Sequence, residues 1–307
     1  MRRSLRGERA PLAFGLTVLG GLLLVRLVAV VVHVDAGAAT DAPLLGPSWD
    51  HLLGTDQLGR DVLLRMIEST EAFVLPGLLA VVVTLLVGVP VGSLIGYWPG
   101  RRSSAVARFV LTIVGAWPRL VLVVVVVAIF TASVSDPAAW APVRLYLLGA
   151  LIALTFVPQL AAELAEKVLS FQREEFVEAA RAHGLSDGRI LGRHILWANC
   201  RELILRQCCL VFAAFLLVET SLSYLGDYGV PPPRPSWGNI LSDVRSQVIH
   251  VRSLARPDSW APGDVLAGLG RAIDDGAALA LVAPTVAIVL SIAGLLALAR
   301  HLGRSER

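Results

Sequence analysis

Charge is scarce in this chain. Asp, Glu, Lys and Arg make up 17% of its 307 residues, while 55% are hydrophobic. Soluble domains run at about 25% charged and about 45–50% apolar. Both departures exclude an ordinary water-soluble globule and point to an integral membrane protein. The net charge of +3 excludes the broad basic surface of a nucleic-acid binder. Lysine is rarer still, Lys167 being an isolated example. Cysteine is nearly absent. Cys200, Cys208 and Cys209 fall in no CxxC or Cys/His metal spacing, so neither a disulfide framework nor a metal site is expected, and they read as small apolar residues. A G-x-x-x-x-G-K-[ST] phosphate loop is missing, which leaves the chain without the means to handle nucleotide chemistry itself. H-E-x-x-H and G-x-S-x-G are missing too, and His33, His51, His183, His194, His250 and His301 are scattered. That argues against an intramembrane enzyme.

Long apolar runs are what the chain does have. A membrane helix needs about 20 mostly apolar residues. Six segments qualify, at roughly 11–34, 74–97, 105–131, 143–163, 203–222 and 277–299. Only helices or closed barrels satisfy backbone polar groups in lipid, so an all-α membrane protein of six transmembrane helices is expected. The first run is too long for the apolar core of a signal peptide, about 7–15 residues, and reads as a retained span. Short basic loops set orientation. Arg2, Arg3, Arg6 and Arg9 precede the first span, Arg101 and Arg102 follow the second, and Arg300, Arg304 and Arg307 close the chain. The turn at 132–142 has no Lys or Arg. Both termini are therefore expected on the cytoplasmic side, with six spans between them. The longer segment 223–276 carries arginines against this rule, and the shorter loops decide.

Two outer segments have helical spacing of apolar residues. His51–Thr70 carries Val62, Leu63, Met66 and Ile67; Asn239–Leu254 carries Ile240, Leu241, Val244, Val248 and Val251. Both read as amphipathic helices at the membrane surface or over a cavity mouth. They either pack on the bundle or meet a soluble partner.

Between spans four and five lies a polar island, Glu174–Asn199. Ser170 is a candidate N-cap, and Glu174 and Glu175 suit the positive end of a helix. Glu178, Ala179, Ala180 and Arg181 are good helix residues, and Gly184 is placed to stop the helix. Ser186 can start a second helix through Ile190, Leu191 and Ile195. The small residues allow close approach of another backbone, with Phe176 and Leu185 as apolar anchors.

The run F-V-E-A-A-R-A-x-G-x-S followed by R-H-I-L, at Phe176–Ser186 and Arg193–Leu196, resembles the coupling loop of ABC-importer permeases. Two further stretches are similar to the dipeptide/oligopeptide/nickel class of that family. One is Gly54–Arg65, with Gly54, Asp56, Gly59, Arg60 and Asp61. The other is Glu219–Leu241, with Pro232, Pro233, Pro235, Ser236, Trp237 and Gly238. The match covers about residues 1–241 and looks like the second, C-type, permease.

The resemblance implies a type I ABC-importer transmembrane domain and a transport subunit for peptides or a related small solute. It implies a homologous second permease forming a heterodimer, two ATPase subunits, an extracytoplasmic substrate-binding protein and a surrounding lipid bilayer. No cofactor is expected in this chain; ATP and Mg belong to the ATPases. Glu174, Glu175, Phe176, Glu178, Ala179, Ala180, Gly184 and Leu185 would form the ATPase-coupling surface. The organisation expected is 1–73 as tail, first span and outer amphipathic segment, then 74–307 as the core, with a coupling loop at 164–202 and an outer segment at 223–276. Three departures stand out: Trp197 where the family has proline, Ala162 and Ala165 where it often has arginines, and an ending without the usual acidic motif. A self-sufficient secondary transporter or channel subunit is the alternative, although the inverted repeats and broken mid-membrane helices of such proteins are not seen.

Charged groups inside a bilayer are costly and face a bundle interior. Arg119, after Pro118, either lines the translocation path, where it would attract a carboxylate, or snorkels or pairs internally. Glu219 is a candidate gate residue or an interfacial polar one. Arg206 is expected to snorkel to the inner surface, and Pro118 and Pro158 to bend their helices.

Overall fold

The computed structural model describes residues 2–32, 42–43, 45–133, 137–226, 229–230, 234–243 and 277–304. Its helices are α1 (Arg2–Val32), α2 (Val62–Glu68), α3 (Thr70–Tyr97), α4 (Arg102–Ala116), α5 (Arg119–Ser133), α6 (Pro137–Gln172), α7 (Glu175–Ala182), α8 (Asp187–Arg189), a π-helix (Ile190–Trp197), α9 (Arg201–Leu225) and α10 (Ala277–Arg304). Residues 237–243 are also helical. Among the described residues no strand forms beyond one isolated bridge between Thr55 and Asp61.

Among the described residues five helices are long and apolar enough to cross a bilayer, and the pair α4 and α5, bent by 81° at its junction, makes six when counted as one broken span. The third expected span is thus two half-helices, not one rod, a broken helix where sequence reading expects none. Pro118 has no N–H to donate and disfavours helix at the residue before it; Trp117 is extended, at φ −77° and ψ 133°. Pro158, by contrast, lies within continuous helix in α6. That helix is also longer than the expected span, running on to Gln172. Ala161, Ala162, Glu163, Leu164, Ala165, Glu166 and Lys167 are strong helix formers, so the helix outlasts the apolar run and absorbs the first part of the expected 164–202 loop.

The bundle is built on α3 against α6. Gly88, Gly92 and Gly96 recur every fourth residue on one face of α3, the small-residue spacing that lets membrane helices approach closely. A Cβ on Gly92 would stand 2.8 Å from the Ala161 carbonyl oxygen, and one on Gly96 2.5 Å from that of Ala165. Thr84 Oγ1 donates to Ala80 O at 2.8 Å and lies 3.3 Å from Ala153 O across the seam. Phe73, Leu148, Ile152, Phe212, Phe215 and Leu216 bury the central core of α3, α6 and α9, joined by Val123 and Val127 of α5 and Leu295 of α10. Helix α1 lies at the edge, its Gly15 against Gly294 and Leu298 of α10, and is tied to α3 by Arg26–Glu71 at 3.3 Å.

A second core closes the end of the bundle that carries the polar island. Tyr97, Leu160, Leu164 and Val168 from α3 and α6 meet Val177, Ile190, Ile195, Cys200 and Leu203.

Candidate functional site

The polar island folds as a helical hairpin across that second core. Glu174, extended at φ −79° and ψ 145°, holds the N-cap position of α7. Ser170 does not cap it: it lies inside α6, and its hydroxyl donates to Lys167 O at 2.8 Å. The turn out of α7 is a Schellman motif. Gly184 takes φ +78°; Leu185 N donates to Ala180 O at 3.2 Å and Gly184 N to Arg181 O at 2.9 Å. Those bonds satisfy the last carbonyls of the helix, and glycine adopts the left-handed conformation at least cost. Ser186 then occupies the N-cap position of α8 without a side-chain cap bond. The expected second α-helix is only Asp187–Arg189, followed by π-helix to Trp197. Asn199 Nδ2 donates to His194 O at 2.6 Å at its exit.

The hairpin has two faces. Val177, Ile190 and Ile195 are fully buried on the bundle. Glu174, Glu175, Phe176, Glu178, Ala179 and Gly184 are exposed on the other side, with Phe176 40% accessible and its ring 6.3 Å from that of Phe171. Ala180 and Leu185 are half-buried against the second core. Leu185 therefore anchors the hairpin to its own bundle, and Phe176 is the large apolar side chain left outward on α7.

Beneath the hairpin lies a polar joint that sequence reading missed. Tyr97, at the last turn of α3, is buried, and its hydroxyl donates to Asp187 Oδ1 at 2.7 Å. Arg181 Nη2 donates to the same hydroxyl at 3.2 Å, which holds the Arg181 pKa above its ordinary value. Gln172 Nε2 donates to Tyr97 O at 2.8 Å. Tyr97 and Asp187 are far apart in sequence, so no local spacing signals the pair.

A second polar chain crosses the bundle above this joint. Arg119 Nη2 donates to Gln159 Oε1 at 2.8 Å, and the guanidinium lies 4.2 Å over the Phe156 ring. Gln159 Nε2 reaches Glu163 Oε1 at 3.2 Å. Glu163 Oε2 accepts from Gln207 Nε2 at 2.8 Å and pairs with Arg206. Arg206 thus pairs with an acid on α6, which supplies the counter-charge that snorkelling would otherwise seek in water. Arg119 is exposed in the isolated subunit. Just below, a cleft of about 400 Å³ between α4 and α6 is lined by Ile95, Arg108, Thr112, Pro158, Ala162 and Glu166.

At the opposite end of the bundle the two remaining motifs form one knot. The expected helix at 51–70 shrinks to Val62–Glu68, because Gly54 (φ +79°) and Gly59 (φ +71°) impose turns before it. Asp61 caps α2 by accepting from Leu64 N at 2.9 Å, and its other oxygen lies 2.8 Å from His51 Nδ1. Asp56 accepts from Arg60 Nε at 2.7 Å and from Arg65 Nη1 at 2.6 Å. Arg65 also reaches Asp243 at 3.0 Å. Pro235, Ser236, Trp237 and Gly238 are buried. Trp237 Nε1 donates to Met66 O at 3.1 Å, with its ring 4.6 Å from Phe73, and Gly238 sits so close to Thr220 and Ser223 that a Cβ would collide with them. Glu219 is wholly buried beneath this knot, accepting from Ser223 Oγ at 2.8 Å; it faces no open surface of the subunit. Pro232, Pro233 and the expected helix beyond 243, with Val244, Val248 and Val251, lie outside the described residues.

The sequence profile of the family described as "Binding-protein-dependent transport system inner membrane component" matches residues 88–307. The chain is similar to a dipeptide transport system permease protein of Alkalihalophilus pseudofirmus, 32% identical over 235 residues, 75% of this chain and 72% of the relative. It is similar to a glutathione transport system permease protein of Pectobacterium atrosepticum, 29% identical over 204 residues, 66% of this chain and 63% of the relative. A putative peptide permease protein of Brucella suis is 32% identical over 203 residues, again 66% of this chain and 63% of the relative.

Proposed function

Because the chain belongs to the family of binding-protein-dependent transport system inner membrane components, we propose that it forms half of the translocation pathway of an ATP-driven importer for peptides or a related small solute. It is a multi-pass membrane protein with the type I ABC-importer transmembrane fold and the permease component of such a system. The observation that carries the mechanism is the hairpin's exposed face. Glu175, Phe176, Glu178 and Ala179 project from a helix whose opposite side is buried in the bundle. A soluble motor can seat on that face, and force applied there reaches membrane helices directly.

In this reading the hairpin and both termini are cytoplasmic and the Asp56–Trp237 knot is extracytoplasmic, in the inner membrane. Two ATPase subunits supply ATP and Mg; this chain is non-catalytic and holds no cofactor. A homologous second permease completes a heterodimer, and a substrate-binding protein delivers cargo to the knot side. ATP-driven closure of the ATPases draws the coupling hairpins together and turns the cavity outward; hydrolysis resets it. Arg119, at the break between α4 and α5, faces the path. An intramembrane guanidinium with one neutral hydrogen-bond partner in its own chain suits a carboxylate on a passing cargo.

The test is recovery of tagged chain from its own membranes in mild detergent. A second permease and ATPases should come with it, and Glu178→Arg combined with Gly184→Leu should lose the ATPases while keeping the second permease. Recovery of the chain by itself, or retention of ATPases by the double variant, refutes the proposal.

A further inference from the structure

The hairpin touches the bundle in two physically different ways. Val177, Ile190 and Ile195 contribute apolar contact, which is non-directional and lets surfaces slide. The Tyr97 joint is directional. One buried hydroxyl donates to Asp187, just past the Gly184 turn, and accepts from Arg181 at the end of α7. Both arms of the hairpin are therefore keyed to a single atom at the end of α3. The same residue's carbonyl accepts from Gln172, which fixes the end of α6.

From Tyr97 the path continues into the broken span. The Trp98 ring stands 4.8 Å from the Tyr97 ring, edge-on. Arg101 covers Trp98 at 4.6 Å. Ser104, fully buried in the first turn of α4, donates to Trp98 O at 2.6 Å and lies 3.2 Å from Leu94 O, across the corner from the last turn of α3. Helix α4 then runs to the break at Trp117–Pro118, beyond which Arg119 begins α5. The corner is short and bonded at each step.

We infer that the Tyr97 hydroxyl is the link that converts displacement of the coupling hairpin into displacement of the α3–α4 corner, and through α4 of the broken span. Tyr97 is a positioning residue: it touches neither the ATPase face nor cargo. This inference rests on the importer reading. It assigns the transmitting atom, whereas that reading assigns only the surface that receives force.

The experiment uses the complete complex purified with its ATPases, followed by amide hydrogen exchange with and without ATP plus vanadate. In the wild-type complex, nucleotide should alter exchange both in the hairpin, 175–190, and in the corner, 92–106. Tyr97→Phe keeps the ring and its packing and removes only the hydroxyl. It should leave complex assembly and the hairpin response intact and abolish the corner response. Asp187→Ala should act likewise, the double variant should be no worse than either single one because both break the same link, and Asp187→Asn, which keeps an acceptor, should retain the response. A corner response that survives in Tyr97→Phe, or additive losses in the double variant, overturns the link and leaves the importer reading standing. A wild-type chain that retains no ATPase overturns both.

Discussion

Alanine at Gly92 and Gly96 should loosen the seam on which the bundle is built. In an ordinary helix each replacement would help, since alanine is better than glycine by about 0.8–1 kcal/mol. Here each new Cβ meets backbone: 2.8 Å from Ala161 O at Gly92 and 2.5 Å from Ala165 O at Gly96. Carbonyl oxygens inside α6 cannot rotate away as a side chain can, so α3 and α6 must separate. Overpacking of this kind costs about 1–3 kcal/mol per site, and the short distances place both sites toward the upper end. Subtracting the propensity gain leaves a net loss of about 1–2 kcal/mol each, or about 2–4 kcal/mol for the pair. At about 2–4 °C per kcal/mol, the double variant should unfold about 5–15 °C below wild type. The assay is thermal unfolding of the purified protein in detergent, followed by the fluorescence of its seven tryptophans. Gly21→Ala is the control: nothing lies within 4 Å of its Cβ position, so it should match or exceed wild type. A Gly92→Ala, Gly96→Ala double variant that unfolds at or above the wild-type temperature refutes the backbone-contact reasoning.

Glu163→Ala should destabilise the bundle by about 1–2 kcal/mol, less than the loss of a fully buried partner because the paired side chains are 30% and 32% accessible; adding Arg206→Met should restore most of the loss in the same unfolding assay, and absence of rescue would show that the pair itself is not responsible. Gly184→Ala should cost about 1–2 kcal/mol through its left-handed backbone without a clash, since nothing lies within 4 Å; the Leu185 amide, bonded to Ala180 O, should exchange at least about fivefold faster, and unchanged exchange would remove the strain argument.

The legible parts of this protein are those written in local chemistry. The six apolar runs announce spans because lipid demands length and hydropathy of each helix separately. Glu174 to Gly184 announces a helix ended by glycine because the acidic residues, the alanines and the stop glycine lie close together in sequence. Pro118 announces a bend for the same reason, although not a break into two half-helices, and Pro158 shows that proline alone does not interrupt a helix. The misses share a different cause. Ser170 is a good cap residue in isolation, yet the helix formers before it carry α6 past it. Arg206 has the long side chain of a snorkelling residue, and only the fold brings Glu163 opposite. Tyr97 and Asp187 are joined by a fold that lays the hairpin across the end of α3. The Gly88–Gly92–Gly96 spacing was available in the sequence, but its meaning depends on which helix faces it. Of the candidate site, the outward face of α7 was readable, whereas its attachment to the bundle was not.

Trp237 against Met66, and Arg65 between Asp56 and Asp243, bind two regions that the chain encodes far apart. The two bonds constrain exchange differently. A chimera that took residues 234–243 from a related permease while keeping residues 45–68 would keep the Trp237 bond, because it reaches the main chain of Met66, but would need an acid at 243 to keep the Arg65 pairing. Grafting this end of the molecule onto another scaffold is therefore best done with both stretches as one cassette.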